Sequence, residues 1–173
     1  MNLTNITKQD STFTNLLKSE WLQISLLTVL AISAPLFIKT PQILVGSIVN
    51  LTLVFSVLKF GFKKTLPMVI LPSLIAYSNN ILFGGATTFL IYFLPVIIIG
   101  NSVFVLLIKN LKIKEWNILV ASISKGAILF IFAYIFVNHF HLPRLFISSM
   151  GYIQIITALI GGYLGSVLSK NIA

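Results

Sequence analysis

The chain has 173 residues, no cysteine and a formal net charge of +9, and it is 57% hydrophobic but only 9% charged. A soluble domain carries about 25% charged residues, so this composition, with a mean hydropathy of +1.02, excludes an ordinary soluble globule and points to a membrane. The missing cysteine excludes a disulfide, a thiolate nucleophile and a cysteine metal site.

Residues 1–20 form a polar segment expected in the cytoplasm, where Asp10, Ser11 and Thr12 suit the start of a short helix. Phe13, Leu16 and Leu17 share one face of that helix. Two readings stay open, a helix lying on the inner membrane surface and a frayed terminus. Residues 21–173 then form one membrane domain with six apolar runs, at 21–38, 43–60, 66–83, 87–108, 117–138 and 148–168. Each is close to the roughly 17–25 residues that cross about 30 Å of hydrocarbon as a helix. Ala31-Ile32-Ser33-Ala34 faintly resembles a cleavage site, but the five runs that follow favour a retained helix. The first helix is expected to end near Pro35, before a tight turn at Lys39-Thr40-Pro41-Gln42. Pro67 suits the first turn of the third helix, where its missing N–H costs nothing. Pro72 and Pro95 fall inside the third and fourth helices and should bend them. Gly84-Gly85 breaks the chain between those helices, and 139–147, with Pro143, is the longest outer connection.

The cations fall in every second gap. Lys8, Lys18, Lys59, Lys63, Lys64, Lys109, Lys112, Lys114 and Lys170 account for nine of twelve, and the alternate gaps hold only Lys39 and Arg144. The positive-inside bias therefore predicts an all-α, six-helix bundle in the cell membrane with both termini cytoplasmic. Topology and anionic inner-leaflet lipid explain the net charge without nucleic acid.

Much chemistry is missing. Asp10, Glu20 and Glu115 are the only acids, and all lie at or outside the inner ends of the runs. Ion-coupled transporters usually carry the ion on an intramembrane carboxylate, so that class is disfavoured. His139 and His141 sit together at the outer end of the fifth run. They read as a metal grip or as solvated interfacial side chains, and the absence of a neighbouring acid or cysteine favours the second. No phosphate-cradling glycine loop is present, so the chain does not itself hydrolyse ATP. No nucleophile–base pair or metal cluster can be assembled, so no enzyme, metal or cofactor is expected.

Lys125 is the twelfth cation and lies inside the fifth run. It is placed about 12 Å along a helix starting near Asn117, where insertion costs about 2.5–3.5 kcal/mol. Either it snorkels back toward the cytoplasmic side, or it faces the bundle interior with Ser122, Gly126, Leu129 and Ala133. Asn101 lies at similar depth on the fourth run, and its carboxamide oxygen is a candidate acceptor for Lys125. Asn50 sits near the middle of the second run and Gln154 in the outer third of the sixth. Ser73, Tyr77 and Asn80 follow at i, i+4 and i+7 on the third, and Thr88 and Tyr92 repeat that pattern on the fourth. These groups suit an outward pocket for a small polar molecule, or ordinary interhelical bonding. The substrate-binding candidates are Asn50, Tyr77, Asn80, Asn101, Lys125 and Gln154. On the sixth run, Ala158–Gly162–Ser166 and Gly161–Gly165–Ser169 form small-xxx-small pairs. Packing within the bundle and contact with a partner chain both stay open for Gly161, Gly162 and Gly165.

Four stretches carry a resemblance that covers about 41–168. They are Val45-Gly46-Ser47-Ile48-Val49-Asn50, Ile99-Gly100-Asn101-Ser102, Ser124-Lys125-Gly126, and Gln154 with Thr157-Ala158-Leu159-Ile160-Gly161-Gly162. With the six-helix layout, they resemble the substrate-binding S component of an energy-coupling factor (ECF) transporter. The resemblance implies capture of a vitamin, cofactor precursor or other small micronutrient at the outer face. It also implies a transmembrane coupling subunit and two ABC ATPases as partners, with reorientation of the S component in membrane lipid. Many S components carry an Ala-xxx-Ala face on their first helix. Here Ala31 and Ala34 are spaced by three, so docking through that face is not implied. Two alternatives are an accessory or assembly subunit with no ligand of its own, and a stand-alone small-molecule transporter.

Overall fold

A computed structural model describes residues 19–80, 82–110 and 115–171. The expected N-terminal helix around Asp10–Leu17, and Lys8, Lys18, Lys112 and Lys114, lie outside the described residues. Among the described residues there are seven α-helices in order: α1 Glu20–Phe37, α2 Gln42–Phe60, α3 Phe62–Asn79, α4 Leu90–Asn110, α5 Glu115–Phe140, α6 Leu145–Met150 and α7 Tyr152–Asn171. A 3-10 segment at Gly84–Phe89 leads into α4. Among the described residues five stretches are long and apolar enough to cross a membrane: α1, α2, the 3-10 segment with α4, α5, and α6 with α7. The chain is thus an all-α bundle of the kind that suits a multi-pass membrane protein.

The third predicted run is displaced. It was expected at 66–83, but α3 spans Phe62–Asn79 and is not among those five stretches. Lys63 and Lys64 fall inside its start, two prolines interrupt it, and Tyr77-Ser78-Asn79 closes it. The shift begins at Gly61, whose φ of 82° ends α2 and starts α3 with no linker. Only glycine adopts that conformation without a Cβ penalty. Pro67 is consequently inside α3 rather than in its first turn. At the other end Asn80 is left-handed, with φ 51° and ψ 22°, and stops the helix. The sixth run is also split, because Gly151 separates α6 from α7.

Packing follows from small residues. Helices α2, α4, α5 and α7 form a ring in which α2 meets α4, α4 meets α5, α5 meets α7 and α7 closes on α2. The α2–α7 pair is the most extensive in the bundle. A Cβ on Gly161 would lie 2.3 Å from the Ser47 carbonyl oxygen, and one on Gly165 2.6 Å from that of Leu51. Those glycines therefore let the two backbones touch. Gly162 faces the other way, toward Ile118 and Phe104. All three are spent inside the bundle. Helices α1 and α3 pack against α2 and each other, and α3 also meets α4. Ala31 and Ala34 are buried there, leaving Leu22, Leu26, Val29 and Leu30 as the outward side of α1.

Two apolar clusters fill the interior. One includes Leu53, Val57, Val69, Phe104 and Ala121, toward the end where Lys59, Lys63, Lys64 and Lys109 lie. The other includes Ala76, Phe93, Leu129, Phe146 and Met150, toward the end with the 3-10 segment and α6. A polar layer also crosses the ring helices, with Asn50 on α2, Asn101 on α4, Ser122 and Lys125 on α5, and Thr157 on α7, all buried; on α4 and α5 it falls between the two clusters in chain position. Trp21 and Trp116 are highly exposed at the lysine-rich end, where amphipathic aromatic rings suit a membrane–water boundary. The Lys64–Glu20 ion pair lies at that end as well.

Candidate functional site

Lys125 is the centre of the polar layer. Its residue is 3% exposed, so it lies inside the bundle and does not reach back to the helix start. Its stem passes Gly100 of α4, where a Cβ would sit 3.7 Å from Lys125 Cγ. Its Nζ then donates to Asn50 Oδ1 at 2.6 Å. The face of the Phe104 ring lies 5.3 Å from Nζ and offers a cation–π contact.

Asn50 passes the connection on. Its Nδ2 donates to Thr157 Oγ1 at 3.3 Å, and Thr157 Oγ1 donates to the Gln154 carbonyl at 3.1 Å. Thr157 is held against α2 by Gly46, where a Cβ would come within 2.8 Å of Thr157 Cγ2. The chain Lys125–Asn50–Thr157 thus ties α5, α2 and α7 through side chains alone.

Asn101 is one candidate acceptor for Lys125 by sequence, and the lysine bonds to the amide oxygen of Asn50 instead. Asn101 Nδ2 donates to the Val69 carbonyl of α3 at 3.2 Å. Asn101 Oδ1 is buried with no hydrogen-bond partner. An unpaired buried acceptor costs about 1–3 kcal/mol, so this oxygen is poised for a donor. Ser47 Oγ and Ser122 Oγ are in the same condition.

A cavity of about 90 Å³ opens beside these groups. One water needs about 10–15 Å³ by this measure, so the space suits a compact ligand. Its polar lining is Gln42, Asn50, Ser73, Asn101, Lys125 and Gln154. Pro72, Phe83, Ile97 and Met150 contribute apolar walls. Phe83 and Met150 come from beyond the helix ends at the lysine-poor side, so the cavity runs from that side down to Lys125. Phe146 stacks on Phe93 with centroids 4.7 Å apart and tilts against Phe83 at 5.3 Å, bracing the wall. Gln42 Nε2 donates to the Ser149 carbonyl at 3.4 Å, which joins α2 to α6 at the rim.

Four sequence-selected residues, Asn50, Asn101, Lys125 and Gln154, therefore meet in one cavity. Two do not. Tyr77 is half-buried and packs against the apolar cluster around Phe93 and Phe146. Asn80 lies beyond the end of α3 and is exposed. The i, i+4, i+7 stripe assumed a helix continuing to residue 83, and the left-handed turn at Asn80 removes its last member. Thr88 is exposed and donates to the Gly85 carbonyl, while Tyr92 is 59% exposed. Neither turns inward. His139 and His141 are exposed, and among the described residues no three His, Cys, Asp or Glu come together to hold a metal.

Comparison of the chain with protein-family models, curated proteins and solved structures finds no match. The site stands on its own geometry. Sequence reasoning did not select Thr157, Gln42 or Ser73 as site residues. Thr157 had a signal, since Gln154, Thr157, Gly161 and Gly165 follow helical spacing on the side of α7 facing α2. Ser73 had one as the first member of the polar stripe on the third run, and Gln42 had none beyond polarity near an apolar run.

Proposed function

We propose that the chain is the substrate-binding membrane subunit of an ECF-type importer, which takes a small micronutrient into the cavity above Lys125. The observation that carries this reading is one cavity lined by Asn50, Asn101, Lys125 and Gln154 at the level of the polar layer. Binding sites within helical membrane bundles combine apolar walls with a few converging polar groups, and this lining has that character.

In the proposed arrangement α3 is the sixth span, completed by its packing against α1, α2 and α4. The lysine-rich end lies in the cytoplasm, so the cavity faces outward. The partners are a transmembrane coupling subunit and two ABC ATPases, which supply the energy that this chain does not. The mostly apolar flank of α1 suits a body that reorients in lipid. The accessory-subunit alternative draws on the short loops and the glycine face of α7, of which Gly161 and Gly165 pack against α2.

The test is gentle affinity purification from native membranes, followed by mass spectrometry of the co-purifying proteins. Recovery of two ABC-type ATPases with one further membrane subunit is the expected result. Recovery of an unrelated membrane complex would sink the proposal.

A further inference from the structure

We infer that the ligand of this cavity is a compact monoanion of the carboxylate type that also carries a hydrogen-bond donor. This rests on reading the chain as a substrate-binding subunit.

Charge balance is the first ground. Lys125 is 3% exposed, and an ammonium carries three donors. One donor goes to Asn50 Oδ1 at 2.6 Å, a neutral acceptor. The only acids in the sequence are Asp10, Glu20 and Glu115, none inside an apolar run, and Glu20 is paired with Lys64 at the lysine-rich end. A cation inside an apolar bundle is costly unless it is paired. The chain offers no counter-charge at that depth, so a ligand in the cavity supplies it. One lysine balances one negative charge, which favours a monoanion over a dianion.

The second ground is independent. Asn101 Oδ1 is an acceptor, 4% exposed as a residue, without a partner, and Asn101 lines the same cavity. It accepts from an N–H or O–H and repels a second carboxylate. The walls of Pro72, Phe83, Ile97 and Met150 accept the apolar remainder of a short ligand. Size is compatible with this, since a cavity of about 90 Å³ open toward the lysine-poor side fits a compact ligand.

The test uses the full chain in lipid nanodiscs and four probes of similar size: pyrrole-2-carboxylate, pyrrole-2-carboxamide, benzoate and benzamide. Saturation-transfer NMR titrations give each Kd. Pyrrole-2-carboxylate should bind at least about 10-fold more tightly than its amide, because a charge-assisted hydrogen bond is lost in the amide. It should also bind more tightly than benzoate, which lacks the N–H for Asn101. Lys125→Met should abolish the preference for carboxylate over amide. Should that variant fail to insert, Lys125→Gln keeps a donor near Asn50 without the charge and carries the same comparison. Equal affinity of carboxylate and amide overturns the inference, as does a carboxylate preference that survives loss of Lys125. Amides that bind as well as carboxylates leave the binding-subunit reading standing and overturn only the anion. Silence from all four probes overturns the inference, while the binding-subunit reading stands or falls on the purification.

Discussion

Lys125 Nζ and Asn50 Oδ1 meet at 2.6 Å although α5 and α2 do not pack extensively on each other. They are diagonal members of the four-helix ring, with α4 on one side and α7 on the other. The gap between diagonal helices suits a long side chain, and lysine spans it where a shorter polar residue would stop short. The same gap gives the cavity its depth.

Breaking this bond should be costly in a way that reveals its cooperativity. Lys125→Met leaves Asn50 Oδ1 without a partner, and Asn50→Leu leaves the ammonium without one. Each single variant should lose about 1–3 kcal/mol of stability. The double variant should lose less than the sum, with a coupling of about 1 kcal/mol or more. Thermal unfolding of the four proteins in one detergent measures it, and strict additivity would show that the bond contributes nothing.

Asn101→Leu should separate stability from binding. It gives up one neutral hydrogen bond to the Val69 carbonyl and removes an acceptor that has no partner. The net stability change should stay under about 1 kcal/mol, while the affinity for pyrrole-2-carboxylate falls about 10-fold. Tyr92→Phe, at an exposed position, should change neither quantity. Titration and thermal melting of the same samples check this together.

The glycines give a contrast within one type of substitution. Gly161→Ala drives a Cβ into the Ser47 carbonyl oxygen at 2.3 Å, where only backbone movement gives relief. It should cost about 1–3 kcal/mol through overpacking. At Gly100 the nearest atoms are Leu129 Cγ at 3.5 Å and Leu129 Cδ1 at 3.6 Å, an ordinary contact. Gly100→Ala should be neutral or slightly stabilising, because alanine is the better helix former by about 1 kcal/mol. Melting temperatures that fall equally for both would refute the α2–α7 contact.

Orientation is open to direct chemistry, because the sequence contains no cysteine. Thr88→Cys, exposed at the lysine-poor end, should react with an impermeant maleimide in intact cells. Lys63→Cys, exposed at the lysine-rich end, should react only after permeabilisation. The opposite pattern would reverse the proposed topology.

The sequence makes the helices legible wherever a single apolar run coincides with a single helix. α1, α2 and α5 fall within two residues of expectation at each end. It misplaces α3 because a glycine of positive φ at Gly61 joins two helices without any polar linker to mark the junction. Depth along a helix is also legible, which is why Asn50, Asn101, Lys125 and Gln154 were found. Pairing across the ring is not. Asn101 and Lys125 lie at similar depth on packed neighbours, yet the lysine crosses to the diagonal helix, and only the ring arrangement decides that. The outward turns of Thr88 and Tyr92 escape for a related reason, since spacing shows that two residues share a face but not which side of the bundle that face meets.

The intimacy of α2 and α7 carries a consequence for synthesis. Asn50 and Thr157, which bond to each other, are separated by 107 residues. At about 5–20 residues per second, α2 waits several seconds in the bilayer with a bare, partly polar flank before α7 emerges. Through that interval Lys125 arrives, and Asn50 is already there to meet it. The early helix acts as a reception site for the late ones, and any delay in producing α7 leaves a half-built protein with a sticky groove facing its neighbours.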